Sequence, residues 1–409
     1  MCFNLGGGPI EVDGRLGFTE GGLVHTVRAL APLAHEYDVE VVCPNVSDEP
    51  RVVRETYFSG VHITCPRRPL CVRWMQAGEM STTERPLRTL VHWPILMASY
   101  LAQSRQRSRT DADIAISNGI LASYLAGRKE GPWKRIAVLH HLYQDPWTTG
   151  ASTPRTGLHV SVERYLLGRL RADAIAVVNP SVREHLVRGG FPSEKVVLVG
   201  NGVDPAEYSF SPEHDEETVV FVGRLRKDKG VDTVLDAFSF MLQRRPRARL
   251  HILGDGVMRS TLEAYAARLG IGSHVIFRGF VDEQTKLAML QRATLYLSAS
   301  RFEGFGIPLV EAMATGAVPV VSDIPAHRHI FQGCEVGFLV TSAESMAQRA
   351  LELLDNRGLR SSMARNGREL VERAWTWADV ASRYRSLIEQ LLGGGPVAGV
   401  VSDNLVRVR

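Results

Sequence analysis

A chain of 409 residues, 44% hydrophobic and 22% charged, has room for two α/β domains with cores that need no cross-links. The formal charge of +4 is carried almost wholly by arginine, with only six lysines, a bias that points to a GC-rich bacterial genome. No dense basic stripe with interleaved aromatics is present, which excludes a nucleic-acid binder, and the five scattered cysteines hold no Cys-x-x-Cys pair, which excludes a zinc module and suits reduced thiols.

In chain order, Met1 to Gly8 lacks a basic region followed by a long apolar run, and no apolar stretch reaches the ~20 residues that span a bilayer. A cytoplasmic protein, soluble or peripheral, is expected. Gly6-Gly7-Gly8 lacks a following Gly-Lys-Ser/Thr and is no Walker loop. Short β-branched runs predict strands at Val39–Cys43, Ile114–Ser117, Ile136–Leu139, Ala174–Val178 and Val196–Val199. Five more are predicted at Thr218–Val222, Arg249–Leu253, Val275–Arg278, Leu295–Ser298 and Val318–Val321, with amphipathic helices such as Val231–Arg244, Met258–Leu269 and Glu283–Arg292 between them. Alternation of this kind predicts two successive parallel α/β sheets. Turn signals in Asn201 to Glu217 mark the hinge, and Gly393 to Arg409 reads as a loose tail. The segment Pro66 to Thr110, with eight arginines and two acids, reads either as a loop and core helix or as an acceptor-binding or membrane-touching element.

The motifs follow the same order. Thr19-Glu20-Gly21-Gly22 runs into a helix, so Gly21 and Gly22 would let backbone approach a ligand and the helix end hold phosphate. Asp111-Ala112-Asp113 has the look of a metal-binding triplet but precedes a strand, whereas ligands in such sheets lie at strand carboxyl ends; no metal is expected. His140 and His141 follow a strand, where one of them can touch substrate. Gly223-Arg224-Leu225-Arg226-Lys227-Asp228-Lys229-Gly230 follows another: a glycine turn, cations and a helix start form a natural diphosphate site, Arg224 gripping oxygens in pairs and Lys229 adding a point charge. Taken alone, that stretch reads equally as a solvated basic loop. The strand end Gly279-Phe280-Val281 offers a backbone edge and a ring to a planar base, or reads equally as a plain strand end, and the Leu253-Gly254-Asp255-Gly256 turn ends another strand on the same side of the cleft. In Ser300 to Ala312, Gly306, Ile307 and Pro308 open a helix whose free N–H groups favour an anion, while Glu303 on the loop and Glu311 in the first turn can accept from sugar and ribose hydroxyls.

Together these pieces resemble the GT-B retaining glycosyltransferases, family 4 in particular. The likeness is carried by Gly21-Gly22, Asn201-Gly202-Val203-Asp204, Gly223-Arg224 through Lys229-Gly230, Gly254-Asp255-Gly256, Gly279-Phe280, Glu303 to Glu311, Gly316-Ala317-Pro319-Val320 and Trp375-Thr376-Trp377. It implies two Rossmann-like doubly wound domains facing across a cleft, with a C-terminal helix crossing back to the first. The expected divisions are an acceptor domain 1–204, a donor domain 205–376, a crossover helix 377–392 and a tail 393–409. It further implies that Arg224 and Lys229 neutralise a donor diphosphate, Glu311 holds ribose hydroxyls, and Glu303 contacts the sugar with Phe305 and Gly306 nearby. Gly279, Phe280 and Val281 would frame the base, Gly22 would approach from the other domain, and His140 or His141 would sit near the reacting carbon. The implied reaction moves a hexose-type sugar from a UDP- or GDP-sugar to a hydroxyl of a natural product or cell-envelope glycan precursor, retaining anomeric configuration without metal or cofactor. A sugar-nucleotide 2-epimerase of the same fold and a non-catalytic sugar-nucleotide-binding protein are the alternatives.

Overall fold

A computed structural model describes residues 2–4, 10–12, 15–17, 25, 28–37, 39–42, 51–53, 61–65, 113–120, 123–124, 133–140, 142, 154–212 and 217–394. The Gly6–Gly8 run, the Gly21-Gly22 pair, His141, the arginine-rich segment 66–110, Asp111, Ala112 and the chain from 395 onward lie outside the described residues.

The first half of the chain contributes β1 (Cys2–Asn4), β2 (Ile10–Val12), β3 (Arg15–Gly17), β4 (Val39–Val42), β5 (Arg51–Val53), β6 (Val61–Cys65), β7 (Ile114–Asn118), β8 (Lys134–Leu139), β9 (Ala174–Val177) and β10 (Val196–Leu198). Eight of them form one sheet in the order β10-β9-β8-β7-β1-β4-β6-β5, while β2 and β3 pair as a separate antiparallel hairpin. Every pairing in the sheet is parallel except β5 with β6. The five strands expected here form; β1, β2, β3, β5 and β6 add to them.

The second half contributes β11 (Thr218–Val222), β12 (Arg249–Leu253), β13 (Val275–Gly279), β14 (Leu295–Ser298), β15 (Val318–Ser322) and β16 (Phe338–Val340). They form an all-parallel sheet in the order β13-β12-β11-β14-β15-β16. A sheet covered on both faces needs strands apolar throughout, and Leu295–Ser298 is buried at every position.

The described helices are α1 (Pro154–Leu167), α2 (Pro180–Arg188), α3 (Val231–Leu242), α4 (Arg259–Arg268), α5 (Glu283–Arg292), α6 (Ile307–Thr315), α7 (Pro325–Phe331), α8 (Ala343–Asp355), α9 (Arg357–Ala374) and α10 (Trp377–Leu392). Helical spacing decides what they bury: α3 turns Val231, Val234, Leu235, Phe238 and Met241 inward at intervals of three and four. At the head of α10, Thr376 and Asp379 close a capping box, so the chain restarts as helix immediately after Thr376.

The chain passes between the two halves twice, and the passes are joined. Val203 N–H donates to Trp375 O at 2.9 Å and Trp377 N–H to Val203 O at 3.2 Å. A Cβ on Gly202 would lie 2.4 Å from the Thr376 carbonyl carbon, so only glycine lets the strands meet this closely. From there α10 returns to the first half, where Arg385 pairs with Glu36 at 2.6 Å.

Candidate functional site

Ligands of doubly wound sheets bind beyond the carboxyl ends of the strands where the order reverses. Counted from its first strand, the second sheet reads 3-2-1-4-5-6, so the reversal falls between β11 and β14. The loops leaving these two strands carry the basic motif and the Glu303 segment. They are stitched together, since Arg301 N–H donates to Asp228 O at 2.8 Å. Lys229 Nζ lies 2.7 Å from Glu303 Oε1, and both side chains are mostly buried. Ser300 Oγ donates to the same oxygen at 2.8 Å. The sequence gives Lys229 to phosphate and Glu303 to sugar as separate tasks; the fold makes them an ion pair. Arg224, on the same loop as Lys229, is exposed and its side chain makes no ion pair or hydrogen bond among the described residues, which leaves its fork of donors uncommitted.

Beyond Glu303 the loop enters α6. Gly306 caps the helix in the left-handed region at φ 105°, and Pro308 follows as its second residue. No described group accepts from the N–H of Gly306 or Ile307, so both keep a donor for an anion. Phe305 is a loop anchor: its ring is buried, edge-on to Trp375 at 5.4 Å, and what it offers the cleft is backbone. Glu311 stands one residue deeper than the sequence suggests, as the fifth residue of α6 and just past its first turn. Its Oε1 receives Lys286 Nζ at 2.7 Å and the Tyr208 hydroxyl at 3.2 Å, whereas its Oε2 is buried and accepts nothing from the described residues. Burial and the Glu311 charge push the Tyr208 phenol far up, so it stays a neutral donor. Burial pulls the Lys286 ammonium down, but Glu311 and Glu283 more than restore it, and the net direction is upward.

On the other flank of the sheet the turns after β11, β12 and β13 are layered. Gly223 N–H donates to Leu253 O at 2.9 Å and Gly254 N–H to Gly279 O at 2.8 Å. A Cβ on Gly254 would stand 2.0 Å from Gly223 O, so this turn admits only glycine. Phe280 presents its ring to solvent, 81% exposed, while Val281 tucks against the core.

The first half reaches the same loop from across the cleft. Asn179, N-cap of α2, accepts from Ser181 N–H at 2.7 Å and donates through Nδ2 to Glu303 O at 3.1 Å. His140 follows β8 directly, and its carbonyl oxygen is 3.1 Å from where a Gly304 Cβ would sit. Its ring meets His25 edge-on at 4.9 Å. His25 is buried beside the crossing strands: Nδ1–H donates to Asn201 Oδ1 at 2.5 Å, and Nε2 accepts from the Tyr384 hydroxyl at 3.0 Å. Burial, only partly opposed by Asn201, holds its imidazole down at about 4, so it is neutral.

The fold therefore brings Lys229, Glu303 and His140 to one loop cluster, with Arg224 on the same loop as Lys229 and Glu311 further along α6. Sequence reasoning missed Lys286, Tyr208, Ser300, Asn179 and His25. One signal was available for Lys286: in an arginine-rich chain with six lysines, a lysine marks a place that wants a compact ammonium. Among the described residues no group of His, Cys, Asp and Glu could hold a metal.

Residues 20–207 match the model of Glycosyltransferase Family 4, and residues 206–370 match that of Glycosyl transferases group 1. Over 206 residues the chain is 31% identical to the uncharacterized glycosyltransferase MJ1607 of Methanocaldococcus jannaschii, covering 46% of this chain and 53% of that protein. Over 219 residues it is 34% identical to phosphatidyl-myo-inositol mannosyltransferase of Mycobacterium tuberculosis, covering 50% of this chain and 57% of that one. It thus spans about half the length of these curated relatives. In fold it is similar to sucrose-phosphate synthase from Thermosynechococcus elongatus, at TM-score 0.72 and 20% identity over 91% of this chain and 93% of that one. It is also similar to Anabaena HepE in complex with UDP and glucose, at TM-score 0.67 and 15% identity over 94% and 97%. The architecture is GT-B, and, with two family matches that meet at the hinge and run from residue 20 to 370, the chain belongs to glycosyltransferase family 4.

Proposed function

We propose that the protein moves a hexose-type sugar from a UDP- or GDP-sugar to a hydroxyl acceptor, with retention and without a metal. The observation that carries this reading is the Lys229–Glu303 pair at the strand reversal, on the edge where a doubly wound sheet binds its ligand. Arg224 and Lys229 take the donor diphosphate, with the Gly306 and Ile307 N–H groups as further donors. Glu303 accepts from hydroxyls of the sugar. Glu311 Oε2, buried and without a hydrogen bond, accepts from the ribose, and the Gly279 to Val281 edge frames the base. Gly21 and Gly22 approach the donor from the other side.

The bond that breaks joins the anomeric carbon to the β-phosphate oxygen, and the departing oxygen gains negative charge. Cations already fixed at that point stabilise the charge as it develops. The acceptor oxygen enters on the face the phosphate leaves, and its proton passes to the departing phosphate. His140 or His141 lies near the reacting carbon.

In this reading residues 1–204 bind acceptor, 205–376 bind donor, 377–392 cross back and 393–409 form a tail. The acceptor is a cell-envelope glycan precursor or natural product. The phosphatidyl-myo-inositol mannosyltransferase name among the relatives supports the envelope class of acceptor, and the UDP and glucose in the HepE complex support the donor class. No helix among the described residues is long and apolar enough to cross a membrane. The proposal is a cytoplasmic protein that meets a lipid-linked acceptor at the membrane surface.

The test is slow hydrolysis in the absence of acceptor, with UDP- and GDP-sugars offered in turn. Free sugar released in its original anomeric form supports a retaining transferase. Release of the 2-epimer would favour an epimerase, and tight binding without turnover would favour a sensor.

A further inference from the structure

Glu311 is held with a marked asymmetry. Its side chain is 5% exposed, and both groups that the protein supplies to it go to one oxygen. Lys286 comes from α5 and Tyr208 from the segment just after the linker turn Pro205–Glu207. The backbone that carries them is fixed as well. Arg368 of α9 donates through Nη1 to Tyr208 O at 2.9 Å and to Ala314 O near the end of α6 at 2.8 Å, and through Nη2 to Pro205 O at 3.1 Å. One guanidinium thus ties the linker that bears Tyr208 to the helix that bears Glu311.

A buried carboxylate normally fills both oxygens, because a bare one has lost its water without gaining a partner. Here Oε2 accepts nothing, although Lys286 has three donors and is within reach of the same carboxylate. We infer that Tyr208 and Lys286 are a positioning pair: by occupying Oε1 they set the carboxylate plane and dedicate Oε2 to a ligand hydroxyl, making the site selective for nucleoside diphosphates that carry an intact ribose. The inference rests on the reading that Glu311 meets the ribose. It adds the two residues that make the contact discriminating. The Lys286 ammonium, which also pairs with the exposed Glu283 at 2.8 Å, offsets the Glu311 charge, so the ligand hydroxyl does not meet a lone buried anion.

The experiment is calorimetry with UDP and GDP. Whichever binds more tightly is then compared with its 2′-deoxy and 3′-deoxy analogues, on the full chain and on Glu311→Gln, Tyr208→Phe, Lys286→Met and Lys286→Arg. The native protein should prefer the ribose form by about tenfold or more, since a hydrogen bond to a charged group is at stake. Tyr208→Phe removes one oxygen and keeps the ring, so it serves if Lys286→Met fails to fold. Each of these two should reduce the preference to below about threefold and raise donor KM with little change in kcat. Lys286→Arg should restore part of it, and Lys286→Met should add nothing in a Glu311→Gln background. If Glu311→Gln loses the preference while Tyr208→Phe and Lys286→Met keep it in full, the positioning pair is refuted and the role of Glu311 stands. If Glu311→Gln binds and discriminates like the native protein, or if neither diphosphate binds, both fall.

Discussion

Lys229 stands where two demands meet. It balances Glu303 at 2.7 Å, and it lies on the loop that leaves the first strand of the sheet, at the edge proposed above for the donor diphosphate. A diphosphate adds at least two negative charges to a cation and a carboxylate already in balance, and Arg224, uncommitted on the same loop, brings the excess positive charge. Removing Lys229 therefore takes away both leaving-group stabilisation and the hold on Glu303. Lys229→Ala should lower kcat by about 10²–10³-fold, in line with the loss of one preorganised donor. The thermal midpoint should fall as well, because Glu303 is left mostly buried without the cation that balances it, while the melt stays cooperative. Steady-state kinetics beside a thermal melt decide this; near-native turnover would remove Lys229 from the mechanism. Lys229 and Glu303 are legible in the sequence because each sits beside a glycine on a loop that leaves a strand, and Glu311 because it follows the Gly306 and Pro308 helix start. Lys286 and Tyr208 are not, because their contacts with Glu311 cross 25 and 103 residues and nothing local announces them.

At the scale of elements, ten strands were readable because apolar β-branched runs of four or five residues are their own signal. Phe338–Val340 and Cys2–Asn4 were not, for a three-residue strand holds its place through neighbours rather than through pattern. Strand order was likewise hidden: it follows from where each crossover lands, and only the order reveals that the loops after β11 and β14 share a reversal point. The turns after β11, β12 and β13 are layered at this edge, and in the proposed function their packing sets the shape of the donor site. Gly254→Ala tests it, since a methyl 2.0 Å from Gly223 O must push apart the turn that leads to Arg224. The variant should lose about 1–3 kcal/mol of stability in urea titrations and weaken nucleotide binding in the same preparation. Unchanged affinity in a destabilised protein would separate this turn from the donor site.

At the scale of the whole molecule, the turn-rich stretch Asn201 to Glu217 reads as a hinge from local signals, whereas the second chain crossing at Thr376 is expected only from the resemblance, and its joining to Val203 is visible only in three dimensions. Two neutral histidines are packed around this junction. His25 bridges Asn201 and Tyr384, which are remote in sequence, and His329 lies edge-on to Trp375 at 5.0 Å. Burial lowers both to about 4, helped at His329 by the charge of Arg383 and opposed at His25 by the Asn201 hydrogen bond. Released by unfolding, each returns toward 6.5. Between those two values the unfolded chain binds protons that the folded one refuses, so stability rises with pH across that window. Above 6.5 the term is flat and fully retained; it drains away as pH falls toward 4, by about 3 kcal/mol for each histidine. Urea titrations at pH 7.5, 6 and 5 should show this decline, and His329→Leu, which has no imidazole to charge, should show a shallower one. An equal slope in the variant, or stability unchanged from pH 7.5 to 5, would mean that the junction tolerates a charged imidazole and that the two chain crossings are not held by neutral histidines.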